Sequence, residues 1–500
     1  MPNESLNKLL LDTQKSLTNE GILNIIYFCQ NISLERRKLM NSKDKELANM
    51  AEFLFPWALD ILFRMSLVFC DINPIIKNDY HQLVEIIRKI ARMQLKFQNS
   101  LSNHEFIFKE HYIRFIEKNH VENQLLDLFR HNYFFNHDKR MKKIFRKAFK
   151  INHTIFVDFA LLYNVSIEIN QSDKLKEKLL IYSNVLNQLS INFFNTKKDL
   201  LNKLGGDIKK CTYVRTESDL NTNPIIKIFN YLYCPLYFKI ISSVGDILMY
   251  KLTRSNDKLY YRIGLELREK YLYKIIKDNQ CFDVIFNEID FGKPKCGAPD
   301  VAISKGEKLL FLDSKSKSPP LDAINLVPDA IEKQTDILIE FIDQTYKHLI
   351  EATKINNEYN KILKSFNKDN VYGIVVLRDM NFIKIEKIFK KAFDNPKVKF
   401  TSDIDWVKKH IALFDINSIE RLVFRRIDLI DFMINTENMS LNNKRLNKRI
   451  FSNYNDYSKT DIQYKDFLAF KNKKYKRLKM IFESPNFILK TYYFITNLFF

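Results

Sequence analysis

The distribution of glycine constrains the fold more than any other feature of this 500-residue chain. Eight of the nine glycines lie between Gly205 and Gly373, and only Gly21 precedes them. Helical arrays need few residues with positive φ, whereas strands joined by tight turns need many. Proline follows the same division, with three before residue 205 and nine after it. The pattern predicts nearly all helix before residue 205 and an α/β region in the middle of the chain.

The periodicity of apolar residues supports this division. Apolar side chains recur at three- and four-residue spacing in the first part, for example over residues 53–67 and 81–95. Short apolar runs bounded by turn residues follow between residues 282 and 416. We therefore predict an all-helical N-terminal region over residues 1–245, an α/β core with a mixed sheet over residues 246–420, and a basic, mainly helical segment over residues 421–500.

The charge of the chain favours a polyanionic partner. Lys and Arg number 80 against 59 Asp and Glu, which gives a net charge of +21. Nucleic acid is the first partner this suggests, and an anionic membrane the second. The abundance of Lys, Asn, Ile, Phe and Tyr equally fits an A+T-rich coding sequence, so charge alone does not decide. No uncharged apolar run reaches the roughly 18 residues of a membrane span.

The six cysteines indicate a reducing compartment. None forms a CxxC pair, and no histidine lies near them at a zinc-ligand spacing. The N-terminus lacks a charged segment followed by an apolar one, so no secretory signal is expected. These observations predict a cytoplasmic location and no structural zinc.

Two segments have the composition of a nucleic-acid surface. Helical spacing over residues 139–150 places six cations on one face: Lys139, Lys142, Lys143, Arg146, Lys147 and Lys150. Basic residues are dense between Lys471 and Lys479, and aromatic residues are interleaved from Tyr464 to Tyr475; the candidate contacts are Lys473, Lys474, Lys476 and Arg477. A merely solvated helix face explains either pattern about as well, so both interpretations stay open.

The stretch from Phe282 to Pro320 carries the clearest chemical pattern. Pro299-Asp300 opens one apolar run, and Asp313-Ser314-Lys315 ends another, with a turn signal at 305–308 between them. This predicts a hairpin. Residues two apart on a strand share a face, so Asp313 and Lys315 point the same way. Asp300 can then meet Asp313 across the strand pair.

Such a cluster suits a divalent cation. Two neighbouring carboxylates repel each other unless a cation lies between them, and hard oxygen ligands select Mg²⁺ or Mn²⁺. The backbone carbonyl of Ser314 is a further candidate ligand. A nearby ammonium group such as that of Lys315 can position an attacking water or neutralise charge that develops on a phosphate.

At these residues the chain resembles the PD-(D/E)xK nuclease superfamily, which has the restriction-endonuclease-like fold. The similarity covers roughly residues 258–420 and rests on Pro299-Asp300 and Asp313-Ser314-Lys315, with an acid-bearing helix before them. The resemblance implies that Asp300 and Asp313 bind the metal, that Glu266 assists and that Lys315 completes the site. Glu269, one turn from Glu266, could serve in its place. Gln344 lies where some members have a polar residue near the metal.

The resemblance implies an Mg²⁺-dependent endonuclease, with DNA favoured over RNA. Restriction or antiviral defence is the setting that fold-level analogy suggests. The chain has no GxxxxGK[ST] motif, so any ATP-driven motor or regulatory subunit is expected to be another chain. Double-strand cutting with one site per chain favours a homodimer.

Two other functions remain open from the sequence. The basic segments alone would suit a non-catalytic nucleic-acid-binding protein. Arg130 and His137, with six residues between them, match the R-x4–6-H pattern of HEPN ribonucleases, which cleave RNA without a metal. Arg114 and His120 match the same pattern, so the match is weakly specific.

Overall fold

The computed structural model describes residues 6–18, 20–30, 55–72, 84–90, 121–168, 182–204, 223–235, 248–253, 270–279, 282–292, 297–315, 328–359, 362–378, 385–438 and 462–482, with a few single positions between them. The chain divides into two compact units. Unit 1 comprises Met1–Ser255 and Lys474–Phe500, and unit 2 comprises Asn256–Lys473. Among the described helices, none combines the length and apolar character that crossing a membrane requires.

Unit 1 is built largely from helices, as the scarcity of glycine predicts. Those described from end to end are α1 (Leu6–Thr18), α2 (Phe55–Phe69), α3 (Val121–His137), α4 (Lys139–Phe149), α5 (His153–Glu168), α6 (Ser183–Leu189), α7 (Phe193–Leu204) and α8 (Leu248–Thr253). Apolar side chains of these helices and of residues 20–30 form a core that includes Phe28, Phe63 and Phe193. Burial of these large side chains is the main favourable term that stabilises the unit.

The prediction that residues 1–245 are all helical is wrong. A three-stranded mixed sheet lies there, formed by β1 (Ser190–Asn192), β2 (Ile225–Ile228) and β3 (Tyr231–Tyr233). β1 pairs parallel with β2, and β2 pairs antiparallel with β3. The turn between β2 and β3 contains Phe229 at a φ of 52°. Glycine usually occupies a position with positive φ. Because a phenylalanine stands here, the distribution of glycine does not reveal this hairpin.

Unit 2 contains the second sheet and the helices that cover it. Its elements are α9 (Tyr273–Asp278), β4 (Val284–Asn287), β5 (Val301–Lys305), β6 (Lys308–Lys315), α10 (Pro328–Thr353), β7 (Val371–Leu377), α11 (Ile385–Phe393), α12 (Ile404–His410), β8 (Ile411–Asp415), α13 (Ile416–Phe424) and α14 (Leu429–Asn438). Helix α15 (Lys465–Phe482) begins in unit 2 and ends in unit 1. The class is therefore α/β with two mixed sheets.

The five strands lie in the order β4-β5-β6-β7-β8. β4, β5 and β6 pair antiparallel, whereas β6, β7 and β8 pair parallel. All seven residues of β7 are buried, which explains its continuous apolar sequence, because a central parallel strand is covered on both faces. The strand, hairpin, helix and strand predicted for this part of the chain are confirmed.

Helix α10 crosses the sheet at very short distance above Gly373 of β7. A Cβ atom at that position would lie 2.6 Å from Cγ2 of Thr345 and 3.0 Å from Cδ1 of Leu349. Glycine is required here by the close approach of the helix, not by a positive φ. Phe311 of β6 pairs with Gly373, so the same contact sets the height of α10 above the adjacent strand.

The C-terminal segment predicted for residues 421–500 does not form a domain of its own. Residues up to Lys473 belong to unit 2. The ring of Phe424 lies 4.5 Å from that of Tyr464 and 5.5 Å from that of Phe467, measured between centroids. Lys305 of β5 pairs with Asp428, with 2.6 Å between Nζ and Oδ2. The aromatic contacts hold the segment together, and the ion pair, with the ring of Phe432 at 5.9 Å from that of Phe414 in β8, joins it to the sheet.

Candidate active site

The β5–β6 hairpin has the register that places its acids together. Val301 pairs with Leu312, and one further step of that register places Asp300 opposite Asp313. The strands are joined by a tight turn at Gly306, whose φ of 59° suits glycine. The backbone N–H of Gly306 donates to Asp283, which fixes the turn against the residue that precedes β4. The hairpin predicted from the sequence is confirmed.

Asp313 lies at the buried centre of this arrangement, with only 1% of its surface exposed. The hydroxyl of Thr345 on α10 donates to Oδ2 at 2.5 Å. Nδ1 of His348, one turn further along α10, lies 3.4 Å from Oδ1. Both carboxylate oxygens therefore face polar groups of the same helix.

The Asp313 carboxyl is kept ionised despite its burial. Burial alone would raise its pKa, because desolvation disfavours the charged form. The imidazole of His348 beside the carboxylate, the charge of Lys315 and the hydrogen bond from Thr345 outweigh burial and hold the pKa of Asp313 well below its usual range. An ionised carboxylate is the form that binds a metal cation.

Asp300 is held by the backbone of the neighbouring strand. Its Oδ2 accepts a hydrogen bond of 2.6 Å from the backbone N–H of Ser314, the residue between Asp313 and Lys315. Its backbone carbonyl accepts from the N–H of Glu288 at 3.1 Å. Asp300 is buried, and these bonds fix its side chain at the point where β5 begins.

Lys315 occupies the same face of β6 as Asp313. Its ammonium group donates to Oε1 of Gln344 at 2.8 Å and lies 5.4 Å from the centre of the Phe341 ring. Lys315 itself is buried, whereas Gln344 is exposed. The buried Lys315 therefore contacts a residue that reaches solvent.

His348 lies beneath the loop that leads to Asp300. It is fully buried, and its Nε2 makes no hydrogen bond within the described part of the chain. A Cβ atom at Gly297 would lie 3.2 Å from Nε2, so the loop passes directly over the imidazole. The hydroxyl of Tyr359 donates to the carbonyl of Gly297 at 2.9 Å and holds the loop in place.

The side chains present fit a hard divalent cation. Asp300 and Asp313 supply carboxylates from adjacent strands, and the low pKa of Asp313 keeps its oxygens anionic. Mg²⁺ commonly binds through one or two protein carboxylates and retains several waters. Glu266 and its alternative Glu269 lie outside the described residues. Within those residues, no three or more His, Cys, Asp and Glu side chains are arranged to hold a metal.

Thr345 and His348 were not among the predicted site residues. Both lie on the buried face of α10, together with Ile331, Leu338, Ile342 and Leu349. A hydroxyl and an imidazole among these apolar residues are a recognisable signal, because buried polar groups need partners. That signal indicates a polar partner on the sheet without identifying Asp313 as that partner.

The basic face of α4 is formed as its spacing predicts. Asp138 caps the helix through bonds from the backbone N–H groups of Arg140 and Met141, and Lys150 ends it at a φ of 62°. Met141, Phe145 and Phe149 are buried in unit 1. The opposite face carries six exposed cations, Lys139, Lys142, Lys143, Arg146, Lys147 and Lys150.

The second predicted basic surface is only partly exposed. Lys473 and Lys476 are exposed, but Lys474 is buried and donates to Oδ1 of Asp158 at 2.7 Å. Nη1 of Arg477 lies 2.7 Å from Oδ2 of the same carboxylate. The prediction that Lys474 is part of a nucleic-acid surface is therefore wrong, because its charge is used to hold α15 to α5 within unit 1.

Arg130 and His137 do not share an exposed surface. Arg130 is buried in α3 and forms an ion pair with Asp127. His137 is exposed at the end of the same helix, where its ring stacks on Tyr133 with 4.6 Å between centroids. His131, next to Arg130, is buried and bonded to the carbonyl of Asp127. A buried arginine and an exposed histidine are a poor arrangement for binding one phosphate together.

Comparison with known proteins gives no match for this chain among protein-family models, curated proteins or solved structures.

Proposed function

We propose that unit 2 is a metal-dependent nuclease that hydrolyses phosphodiester bonds, with DNA as the expected substrate. The observation that carries this proposal is the pairing of two buried acids across the β5–β6 hairpin, with Lys315 on the same strand face as Asp313. Clustered ionisable groups with a perturbed pKa are typical of catalytic sites. The order of strand, hairpin, helix and parallel strand agrees with the PD-(D/E)xK resemblance and supports the proposal.

Each residue of the site would have a separate role in the reaction. Asp300 and Asp313 would hold the divalent cation, Mg²⁺ or Mn²⁺. When bound, such a cation polarises a phosphoryl oxygen and lowers the pKa of a bound water. Lys315 would stabilise the negative charge that develops on the scissile phosphate, since its charge acts on Asp313 and its ammonium group bonds to the solvent-exposed Gln344. The burial of all three side chains lowers the local dielectric and strengthens these interactions.

The proposal is tested by the metal dependence of DNA cleavage and by the replacement of Lys315. The purified chain should cleave duplex DNA in Mg²⁺ or Mn²⁺, lose cleavage in EDTA and recover it when the metal is restored. Single-stranded DNA and RNA, offered in parallel, identify the substrate class. We expect Lys315→Met to lower the cleavage rate by about 10²- to 10³-fold, the usual cost of removing one group that stabilises transition-state charge.

Lys308→Met is the matched control, because Lys308 lies at the other end of the same strand. It should cleave like the wild type. If the wild-type chain cleaves none of the three substrates in either metal, the proposed function is wrong. If Lys315→Met cleaves as fast as Lys308→Met, the role given to Lys315 is wrong.

A second candidate function, nucleic-acid binding, is supported by the α4 surface. Six exposed cations on one face of an 11-residue helix form a row that suits a phosphate backbone. None of the six forms an ion pair with another described residue. This surface would serve a nuclease as a substrate-binding region, and it would equally serve a protein that only binds.

We expect neutralisation of this face to weaken binding and reduce its salt dependence. Each lost phosphate contact lowers the slope of log K against log salt by about 0.9 for duplex DNA. The variant Lys142→Gln, Lys143→Gln, Arg146→Gln should therefore bind DNA with a slope reduced by up to about 3. Lys197 and Lys198 of α7 are exposed or partly exposed cations of the same unit, and their replacement by Gln is the control. Equal slopes in the two variants would exclude α4 as the binding surface.

A further inference from the structure

Two groups of α10 lie against the two oxygens of Asp313, one by a hydrogen bond and the other at 3.4 Å. Thr345 donates to Oδ2, and His348 presents Nδ1 to Oδ1. They are three residues apart on one helix, so both side chains lie on the same helix face, which packs against the sheet. Nδ1 faces a carboxylate, which favours the tautomer that carries its proton there. This leaves Nε2 on the side of Gly297.

We propose that Thr345 and His348 are positioning residues that fix the Asp313 carboxylate in the orientation in which it binds the divalent cation. This inference rests on the proposed function. Ligand carboxylates in metal sites are commonly hydrogen-bonded by a second layer of residues, and loss of such a partner costs about 10- to 100-fold in metal affinity or activity. Neither residue needs to touch the substrate or the cation for this role.

The geometry distinguishes positioning from simple packing. The methyl group of Thr345 packs at the point where α10 meets Gly373, whereas its hydroxyl turns toward Asp313. Thr335, on the same helix, is equally buried, but its hydroxyl donates to the backbone carbonyl of Ile331 at 2.8 Å. The two threonines therefore differ in what the hydroxyl holds and match in burial and secondary structure.

The threonine pair gives the first test. In the full chain, Thr345→Val removes the donor to Asp313 and keeps the shape of the side chain. Mn²⁺ binding, measured by the loss of the free Mn²⁺ EPR signal, should weaken about tenfold relative to wild type. Thr335→Val should bind Mn²⁺ like the wild type. Thermal unfolding of both variants checks that any difference in affinity does not follow from a difference in stability.

Substitutions at His348 give a second test, which separates a role as hydrogen-bond donor from a role in packing. Asn places an amide nitrogen where His has Nδ1, whereas Leu fills more of the volume and donates nothing. Positioning predicts that His348→Asn binds Mn²⁺ more tightly than His348→Leu, although the Leu variant is the more stable of the two. A packing role predicts that Mn²⁺ affinity follows stability and that Leu is the better replacement.

The outcomes for this inference and for the proposed function are separable. Suppose that the wild type binds Mn²⁺, that Asp313→Asn does not, and that Thr345→Val and Thr335→Val bind Mn²⁺ with equal affinity. This result overturns the inference and leaves the proposed function standing. The same holds if His348→Leu binds Mn²⁺ as tightly as His348→Asn. Wild-type chain that does not bind Mn²⁺ overturns both. The inference is supported if Thr345→Val binds Mn²⁺ more weakly than Thr335→Val and if His348→Asn binds it more tightly than His348→Leu.

Discussion

Replacing Asp313 by Asn is expected to abolish metal-dependent cleavage. The amide keeps the size of the side chain but carries no charge, so the variant loses an anionic ligand for the cation. A bound metal typically supplies several kcal/mol of transition-state stabilisation. Since about 1.4 kcal/mol corresponds to a factor of ten, the expected loss of rate is about 10³-fold or more. Mn²⁺ binding should be lost in parallel.

The same substitution should reduce the stability of unit 2. The pKa of Asp313 lies below that of an aspartate in an unfolded chain. The ionised carboxylate therefore stabilises the folded state at neutral pH, and this contribution is lost only as the pH falls from about 4 toward the folded-state pKa. In Asp313→Asn, the cationic Lys315 and the imidazole of His348 face a neutral amide at every pH.

Asp343→Asn separates loss of a site ligand from loss of a buried acid. Asp343 lies on α10 beside Gln344, is also buried, and accepts bonds from the backbone N–H groups of Lys399 and Phe400. Its replacement should lower stability while the folded protein keeps its metal binding and its cleavage rate. If Asp313→Asn and Asp343→Asn lower the cleavage rate to the same extent, Asp313 has no special role.

Replacing Asp158 by Ala is expected to destabilise unit 1 strongly. Asp158 is 2% exposed and receives the side chains of Lys474 and Arg477, each at 2.7 Å. Its loss leaves the ammonium group of Lys474, which is only 6% exposed, without its carboxylate partner. Breaking a buried ion pair from one side usually costs about 3–5 kcal/mol. Arg477 is 46% exposed, so its side chain can turn to solvent at smaller cost.

The loss of stability in Asp158→Ala can be measured for unit 1 alone. Its two tryptophans are divided between the units, with Trp57 in unit 1 and Trp406 in unit 2. In a Trp406→Phe background, denaturant unfolding followed by fluorescence reports unit 1. Asp199→Ala, an exposed acid of the same unit, should change the free energy of unfolding by less than about 0.5 kcal/mol.

A double replacement shows whether charge or packing is responsible. Asp158→Leu with Lys474→Met removes both charges and keeps much of the buried volume. Replacing a buried pair by apolar residues is often neutral, so this double variant should recover most of the stability that Asp158→Ala loses. A double variant as unstable as Asp158→Ala would mean that the ion pair is not the cause.

The hairpin and its neighbours could be predicted because their signals are local. β5 and β6 are apolar runs with a glycine turn between them, and β7 is a continuous apolar run before a helical pattern. The strand period of two then places Asp313 and Lys315 on one face. Every step of that inference uses residues close together in the sequence.

The rest depends on contacts between distant residues. The partners of Asp313 on α10 follow from the close approach of that helix at Gly373, which the sequence near Asp313 does not encode. The burial of Lys474 depends on Asp158, more than three hundred residues earlier. The assignment of residues 421–473 to unit 2 depends on contacts with the sheet, such as that of Phe432 with Phe414 and that of Asp428 with Lys305. Composition correctly marks these segments as basic and helical but says nothing about their partners.

The tight turn of the hairpin has a consequence for how the length of this region can vary. Equal numbers of residues separate Asp300 and Asp313 from the two-residue turn at Gly306 and Glu307. Insertion or deletion of a single residue in either strand shifts the pairing by one and turns one acid to the opposite face of the sheet. Residues added in pairs, one on each strand, keep the two acids opposite each other but turn both to the other face of the sheet, away from α10. The hairpin should therefore tolerate changes in its length poorly, although it is short and its turn lies at the surface.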